Sequence, residues 1–294
     1  MKAIILAGGA GSRLYPLTQV SSKQLQAVFD KPMIYYPLTV LMASGVSDLC
    51  LISTSDDLPR YQRLLGDGRQ WGVSIVYREQ PAPEGIAQAF LIAADFIGSD
   101  SVVLMLGDNI FSGGDDFPRA VSSFDGGATI FAYHVKDPQR YGVVEFDHNG
   151  RATSIEEKPR QPKSSYAVPG VYIYDNDVLE IARAVKPSAR GELEITDVNL
   201  EYLRRGKLQV RRLSRGFAWL DAGTSTALHE ASAYIDAIER RQGVKIGCPE
   251  EAALVRGFLS IEQFEALIQK MPACEYSDYL RVVANEWHRL KGEI

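Results

Sequence analysis

Apolar positions in the first hundred residues come in short unbroken runs separated by stretches of helical spacing. Lys2–Leu6, Leu49–Ser53, Val73–Tyr77 and Val102–Leu106 read as strands buried on both faces, because successive rather than alternate positions are apolar. Between them, Tyr35–Ala43, Pro59–Leu65 and Ile86–Phe96 have a helical pattern. Strand–helix alternation predicts a Rossmann-like α/β fold, a mostly parallel sheet with helices on both faces. Such sheets bind ligands at the carboxyl ends of their strands, so chemistry is expected in the loops after Leu6 and Leu106.

The middle of the chain changes character. Ala128–His134, Gly142–Phe146, Ala152–Glu156 and Gly170–Tyr174 are strand-like, with turn signals at Asp147-His148-Asn149-Gly150 and Pro159–Pro162. They predict extra antiparallel strands attached to the parallel sheet. Helices follow at Asp177–Ala184 and Thr196–Arg204, then a strand at Lys207–Leu213. Thr224–Arg241 is a further helix, with Thr224 as N-cap and Gly243 just past its end. From Cys248 onward the pattern is helical. The expectation is one catalytic domain over residues 1–243 with a helical C-terminal appendage over 244–294.

Composition narrows the function classes. At about 150 residues per domain, 294 residues make two domains or one large one. Lys and Arg total 32 against 37 Asp and Glu, a net charge of −5, whereas a general nucleic-acid binder needs a basic footprint. Apolar runs such as Ala3–Ala7 and Val102–Leu106 fall far short of the ~20 residues of a membrane span. The N-terminal apolar stretch ends at Gly8-Gly9, too soon for a secretory signal. Cys50, Cys248 and Cys274 are scattered and odd in number, which reads as buried reduced thiols. Together these features predict a cytoplasmic enzyme without nucleic-acid or membrane partners.

The most informative segment is the glycine loop that follows the first strand, Leu6-Ala7-Gly8-Gly9-Ala10-Gly11-Ser12-Arg13-Leu14. Three glycines in four positions let the backbone approach phosphates and aim its N–H groups at them. A Walker loop would need Gly-Lys-Ser/Thr, which Gly11-Ser12-Arg13 is not. A dinucleotide loop would need glycine where Leu14 stands, although Asp30, 19 residues past Gly11, could pose as its ribose-binding acid. A plain tight turn would not call for the cations Arg13 and Lys23. Glycines followed by two cations fit a triphosphate cradle.

This loop, followed by Ser22-Lys23-Gln24 and Lys31-Pro32-Met33-Ile34, resembles the signature of sugar-phosphate nucleotidylyltransferases. The resemblance extends through Leu106-Gly107-Asp108-Asn109, Arg140-Tyr141-Gly142, Glu156-Glu157-Lys158-Pro159, Arg190-Gly191-Glu192-Leu193-Glu194 and Trp219-Leu220-Asp221-Ala222-Gly223-Thr224. These stretches look like the glucose-1-phosphate thymidylyltransferase family, and coverage runs from Lys2 to about Glu251. The resemblance implies transfer of dTMP from dTTP to α-D-glucose 1-phosphate with release of pyrophosphate. It also implies a nucleotide part over about 1–125, a sugar-phosphate part over about 126–243, and a homotetramer built as a dimer of dimers. Two other classes remain as alternatives: the same chemistry with UTP or another sugar phosphate, and a nucleotide-sensing subunit without catalysis. The second would be expected to lose a cation or a carboxylate, and none is lost here.

Phosphoryl transfer needs positioning and charge stabilisation more than covalent chemistry. Arg13 and Lys23 are expected on the triphosphate side, where Arg13 can fork onto two oxygens. By resemblance, Leu6, Gly8, Gly9, Gly11, Ser12 and Gln24 contact the nucleotide, and Lys158 and Arg190 hold the sugar phosphate. The resemblance gives Asp108 and Asp221 to a Mg²⁺ ion, which takes one or two protein carboxylates and completes its shell with phosphate and water. Catalysis is thus expected of Arg13, Lys23, Asp108 and Lys158. Gln80 suits the imide edge shared by thymine and uracil, with Pro83 and Gly85 in the same loop and Gly85 leaving room for close backbone contact. Tyr141, Gly142, Glu157 and Val171 are expected in the sugar pocket, with Trp219 beneath it.

The chain also departs from its relatives. Ile86 and Glu84 replace the usual leucine and aspartate. Relatives carry a second, inhibitory nucleotide-sugar site for dTDP-rhamnose, built from the segment after Asp-Asn-Ile-Phe and the Cys-Pro-Glu-Glu helix. Here Ser112-Gly113-Gly114 replaces their Tyr-Gly-His, and Val255 stands at their arginine position.

Overall fold

The computed structural model describes residues 1–9 and 11–292. Its strands, in chain order, are β1 (Lys2–Leu6), β2 (Ala27–Val28), β3 (Lys31–Pro32), β4 (Asp48–Ser53), β5 (Ser74–Glu79), β6 (Val102–Leu106), β7 (Asn109–Ser112), β8 (Ala128–His134), β9 (Gly142–Phe146), β10 (Ala152–Glu157), β11 (Tyr166–Ala167), β12 (Val171–Tyr174), β13 (Leu208–Arg212) and β14 (Ala218–Asp221). Ten of them form one sheet in the order β10-β9-β11-β8-β12-β6-β1-β4-β5, with β13 on the free side of β8. β1 is parallel to both β4 and β6, and β12 turns the sheet antiparallel between β6 and β8. Leu6 is level with both Ile52 and Leu106, so the loops after β1 and β6 leave the sheet side by side.

Successive side chains on a strand point to opposite faces, and both faces of this sheet are covered. Ile5, Leu51, Val103, Met105 and Ile173 pack against Leu38, Leu41 and Met42 of the helix Tyr35–Ala43. Ile4, Ile52, Leu104, Tyr172 and Tyr174 pack against Phe90, Val178 and Val198 on the other side. This double burial is why the strands lack apolar–polar alternation in the sequence. The mixed α/β architecture with added antiparallel strands and C-terminal helices is the expected one. Ile86–Phe96 differs in detail: it splits into the short helices Gln88–Ile92 and Ala94–Ile97. Thr224 caps the helix Ser225–Gln242 by accepting from the Ala227 N–H at 3.2 Å, and Gly243 closes it in the left-handed conformation.

Two features lay outside the sequence pattern. β7 starts two residues after β6 and pairs antiparallel with β14, placing Asn109 opposite Asp221. Four residues after a tight turn are too few to show a period. The first C-terminal helix, Pro249–Val255, is also no loose appendage. Ala252 and Ala253 join the main core, Trp71 Nε1 donates to Glu250 Oε1 at 3.0 Å, and a Cβ on Gly72 would meet the Phe258 carbonyl oxygen at 2.2 Å. Ile261–Ile268 and Glu275–Gly292 form their own cluster around Phe264 and Leu280. Among the described residues, no helix is long and apolar enough to cross a membrane.

Candidate active site

The loop after β1 turns on two glycines in left-handed conformation, Gly9 at φ 103° and Gly11 at φ 55°. A Cβ on Gly11 would also lie 2.7 Å from Thr18 Cγ2. Ser12–Leu14 then makes a single tight turn that leaves Arg13 exposed. The loop after β6 is tied to this one, since Gly107 N–H donates to the Leu6 carbonyl at 2.9 Å. Between them lies a cleft of about 240 Å³, lined by Gly8, Gly9, Gly11, Ser12, Arg13, Lys23, Gln24 and Asp108. Leu6 itself is buried in the strand beneath. Lys23 is 6% exposed and its Nζ lies 2.7 Å from Asp108 Oδ2. Gln24 is buried on the same floor, and its Oε1 has no hydrogen-bond partner among the described residues.

A larger cleft, about 560 Å³, opens on the other side of Arg13 and Asp108, which line both. Its walls include Tyr141, Gly142, Glu157, Lys158, Trp219 and Asp221. Asp221 Oδ2 accepts from Arg140 Nη2 at 3.3 Å and from the Tyr141 hydroxyl at 3.4 Å. Burial, and then the Asp221 charge, raise the Tyr141 pKa, so the phenol stays a donor. Glu157 Oε2 accepts from Thr196 Oγ1 at 2.7 Å, while Oε1 lies 3.6 Å from Lys158 Nζ and 3.7 Å from Arg190 Nη2. Lys158 has φ 44°, a left-handed conformation that costs a side-chain-bearing residue energy and is found where surrounding structure imposes it.

Asn109 joins the clefts. Its Nδ2 donates to Asp108 Oδ1 at 2.9 Å, and its Oδ1 accepts from Trp219 Nε1 at 2.7 Å and Gly170 N–H at 3.1 Å. Asn109, Arg140 and Thr196 escaped the sequence reading as site residues. Asn109 and Arg140 each adjoin a residue that was singled out, the signal that could have found them. Trp219, expected beneath the pocket, lines it and is hydrogen-bonded.

Besides Leu6 and the base-loop residues Gln80 and Gly85, three expected residues line neither cleft. Val171 is 2% exposed and packs in the core on the helix 35–43 side, because β12 turns Tyr172, not Val171, toward the cleft. Arg190 does not line either cleft; its Nη2 lies 2.8 Å from each Glu194 oxygen. Pro83 is exposed beyond both.

The base loop is built differently from expectation. Gln80 is 5% exposed and lies over the glycine loop, where a Cβ on Gly8 would fall 1.9 Å from its Oε1. Gly85, at φ 110°, makes its close approach to protein: a Cβ there would sit 2.4 Å from the Leu193 carbonyl oxygen. Leu193 N–H donates to Glu84 O at 2.7 Å and Ala87 N–H to Leu193 O at 3.1 Å, lacing this loop to the one that carries Arg190.

Among the described residues there is no group of three or more His, Cys, Asp or Glu side chains able to hold a metal. Asp108, Glu157 and Asp221 are the carboxylates that line the larger cleft, and Glu157 is engaged by Thr196, Lys158 and Arg190.

A family model for nucleotidyl transferases matches residues 2–237. A glucose-1-phosphate thymidylyltransferase of Neisseria meningitidis serogroup A is 53% identical over 283 residues, covering 95% of this chain and 98% of the relative. One from Mycobacterium tuberculosis is 55% identical with the same coverage. A Bacillus anthracis crystal structure described as a glucose-1-phosphate thymidylyltransferase in complex with sucrose superposes with TM-score 0.74 at 44% identity, covering 80% of this chain and 94% of that one. A UDP-glucose pyrophosphorylase shares the fold alone, with TM-score 0.70 at 21% identity over 82% of this chain and 99% of that one.

Proposed function

Because the chain belongs to the nucleotidyl transferase family, we propose that it transfers dTMP from dTTP to α-D-glucose 1-phosphate, forming dTDP-glucose and pyrophosphate. The observation that carries this reading is the wall shared by two clefts. Arg13 and Asp108 face both, with Lys23 on the smaller side and Lys158 on the larger. Two anions held on either side of one arginine are brought together across a cation, which is the electrostatic problem of this chemistry. In the reaction a phosphate oxygen of the sugar phosphate bonds to the α-phosphorus, and the bond to the β-phosphate oxygen breaks, releasing pyrophosphate.

The triphosphate belongs against the glycine loop, Arg13 and Lys23, and the sugar phosphate against Lys158, with Tyr141, Gly142 and Glu157 offering partners to sugar hydroxyls. Gln80 meets the base beside Gly8. Arg190 acts through Glu157 and Glu194 unless its carboxylates release it to the phosphate. Asp108 and Asp221 share a cleft and present hard oxygens, which suits Mg²⁺. Bound there with the phosphates, Mg²⁺ supplies neutralisation of the charge that develops in transfer. The carboxylates are otherwise engaged by Lys23, Arg140 and Tyr141, so ligand entry exchanges their partners.

Pyrophosphate release over a panel of triphosphates and sugar 1-phosphates tests the reading. The expected result is dTTP with glucose 1-phosphate best, UTP measurable and purine triphosphates inactive. Efficient turnover of ATP or GTP, or indifference to the sugar, overturns it.

A further inference from the structure

A hydrogen-bond relay runs from the exposed Glu84 through the buried Gln88 to the buried Gln80 beside the glycine loop. Gln80 Nε2 donates to Gln88 Oε1 at 2.7 Å, and Gln88 Nε2 donates to Glu84 Oε2 at 2.9 Å. Carboxamide oxygens and nitrogens are interchangeable in shape, so only their partners decide which way an amide faces. Both partners of Gln88 have a fixed polarity. An ionised Glu84 carboxylate only accepts, and the Glu84 backbone N–H, 3.3 Å from Gln88 Oε1, only donates. Gln88 therefore shows an oxygen to Gln80, and Gln80 answers with its nitrogen. The Gln80 carbonyl oxygen is left beside Gly8, and no hydrogen bond from a described residue reaches it.

We propose that Gln88, oriented by Glu84, is the positioning residue that fixes the direction of the Gln80 amide and so makes the site select bases with an N–H between two carbonyls. This rests on the reading that Gln80 meets the base. The oxygen beside Gly8, free of donors among the described residues, can accept from the N3–H of thymine or uracil, and the second N–H on Gln80 Nε2 can donate to an adjacent carbonyl. Cytosine in the same place sets its N3 acceptor against that oxygen and its amino group against that N–H. Reversing the Gln80 amide exchanges the two preferences. The relay is thus a polarity lock, and its origin at the exposed Glu84 lies outside the pocket.

The test is the ratio of kcat/KM for dTTP to that for dCTP, which cancels effects on triphosphate charge. It is measured in the wild type and in the variants Gln80→Leu, Gln88→Leu, Glu84→Lys and the swap Glu84→Gln/Gln88→Glu. Gln88→Leu frees the Gln80 amide. Glu84→Lys, at an exposed position, turns the start of the relay from acceptor to donor. Each is expected to lower the ratio at least about tenfold, the scale of one buried polar group left mispaired. The swap keeps an acceptor facing Gln80 and is expected to retain the ratio within about threefold, a rescue that a merely structural role would not give. A ratio that Gln80→Leu lowers but Gln88→Leu and Glu84→Lys leave intact overturns the relay. A ratio that Gln80→Leu leaves intact overturns the base reading itself. Because Glu84→Lys alters only an exposed side chain, it decides the question even where Gln88→Leu does not fold.

Discussion

The two clefts share a wall but are made by different means. The smaller is a product of backbone: two loops leave adjacent parallel strands at the same level, two left-handed glycines shape one of them, and a cation buried beneath is neutralised by Asp108. The larger is a product of side chains gathered largely from antiparallel strands, with a half-exposed Lys158 leaning on Glu157 and Arg190 reaching Glu157 from outside the cleft. A backbone cradle suits the part of a substrate that is always a string of phosphates. A side-chain pocket suits the part whose hydroxyl pattern must be told from its isomers.

The largest expected effect tests the wall itself. Asp108→Asn and Asp221→Asn are each expected to lower turnover at least about 100-fold in Mg²⁺, because metal-held charge contributes several kcal/mol to such transition states. They should part in stability. Asp108→Asn strips a buried lysine of its charge partner and is expected to lower Tm, whereas the cation paired with Asp221, Arg140, is half-exposed and loses less. Equal thermal melts for the two variants would mean that the smaller side is no more tightly organised than the larger.

Next come the cations. Lys158→Ala is expected to raise KM for the sugar phosphate about 10- to 100-fold, as loss of one charged hydrogen bond would, while moving KM for the triphosphate little. Lys23→Ala should do the reverse. Steady-state kinetics with each substrate varied in turn checks the pair, and a crossed result breaks the division of labour.

A smaller effect probes how far the sides are coupled. Gly85→Ala forces a Cβ into the Leu193 backbone at a positive φ and is expected to cost about 1–3 kcal/mol in urea unfolding. Since that contact laces the base loop to the Arg190 loop, both KM values should rise together. The smallest effect concerns inhibition. Ser112 pairs with Ala218 at the end of β7, and Val255 is exposed at the close of its helix. Neither offers a stacking ring or a phosphate-binding cation, so inhibition by dTDP-rhamnose is expected to be weak. Initial rates at rising inhibitor concentration check this, and micromolar inhibition would contradict it.

How much of this was legible beforehand follows the same division. The smaller cleft is encoded locally, since Gly8, Gly9, Gly11, Arg13, Lys23 and Gln24 lie within 17 positions after a buried strand. Its α/β frame was readable because both faces of each strand are covered, which leaves unbroken apolar runs. The larger cleft draws on positions from Arg13 to Asp221, and the partners that finish it are tertiary. Val171 misled because one-residue alternation on β12 decides which neighbour faces the cleft, and a lone valine does not announce its side. Gly85 announced a close approach, but only the folded chain reveals that Leu193 is what approaches.

Asn109 carries a consequence for mutational history. One amide side chain holds a carboxylate with its nitrogen and two N–H groups with its oxygen, spanning β7, β14 and the entry to β12. Aspartate is almost the same shape and one nucleotide away, yet it would set a second carboxylate against Asp108. Leucine, which branches at the same carbon, would strand the Trp219 indole and the Gly170 N–H. The two substitutions closest in shape are thus closed at this position, and drift in the pocket must pass around it.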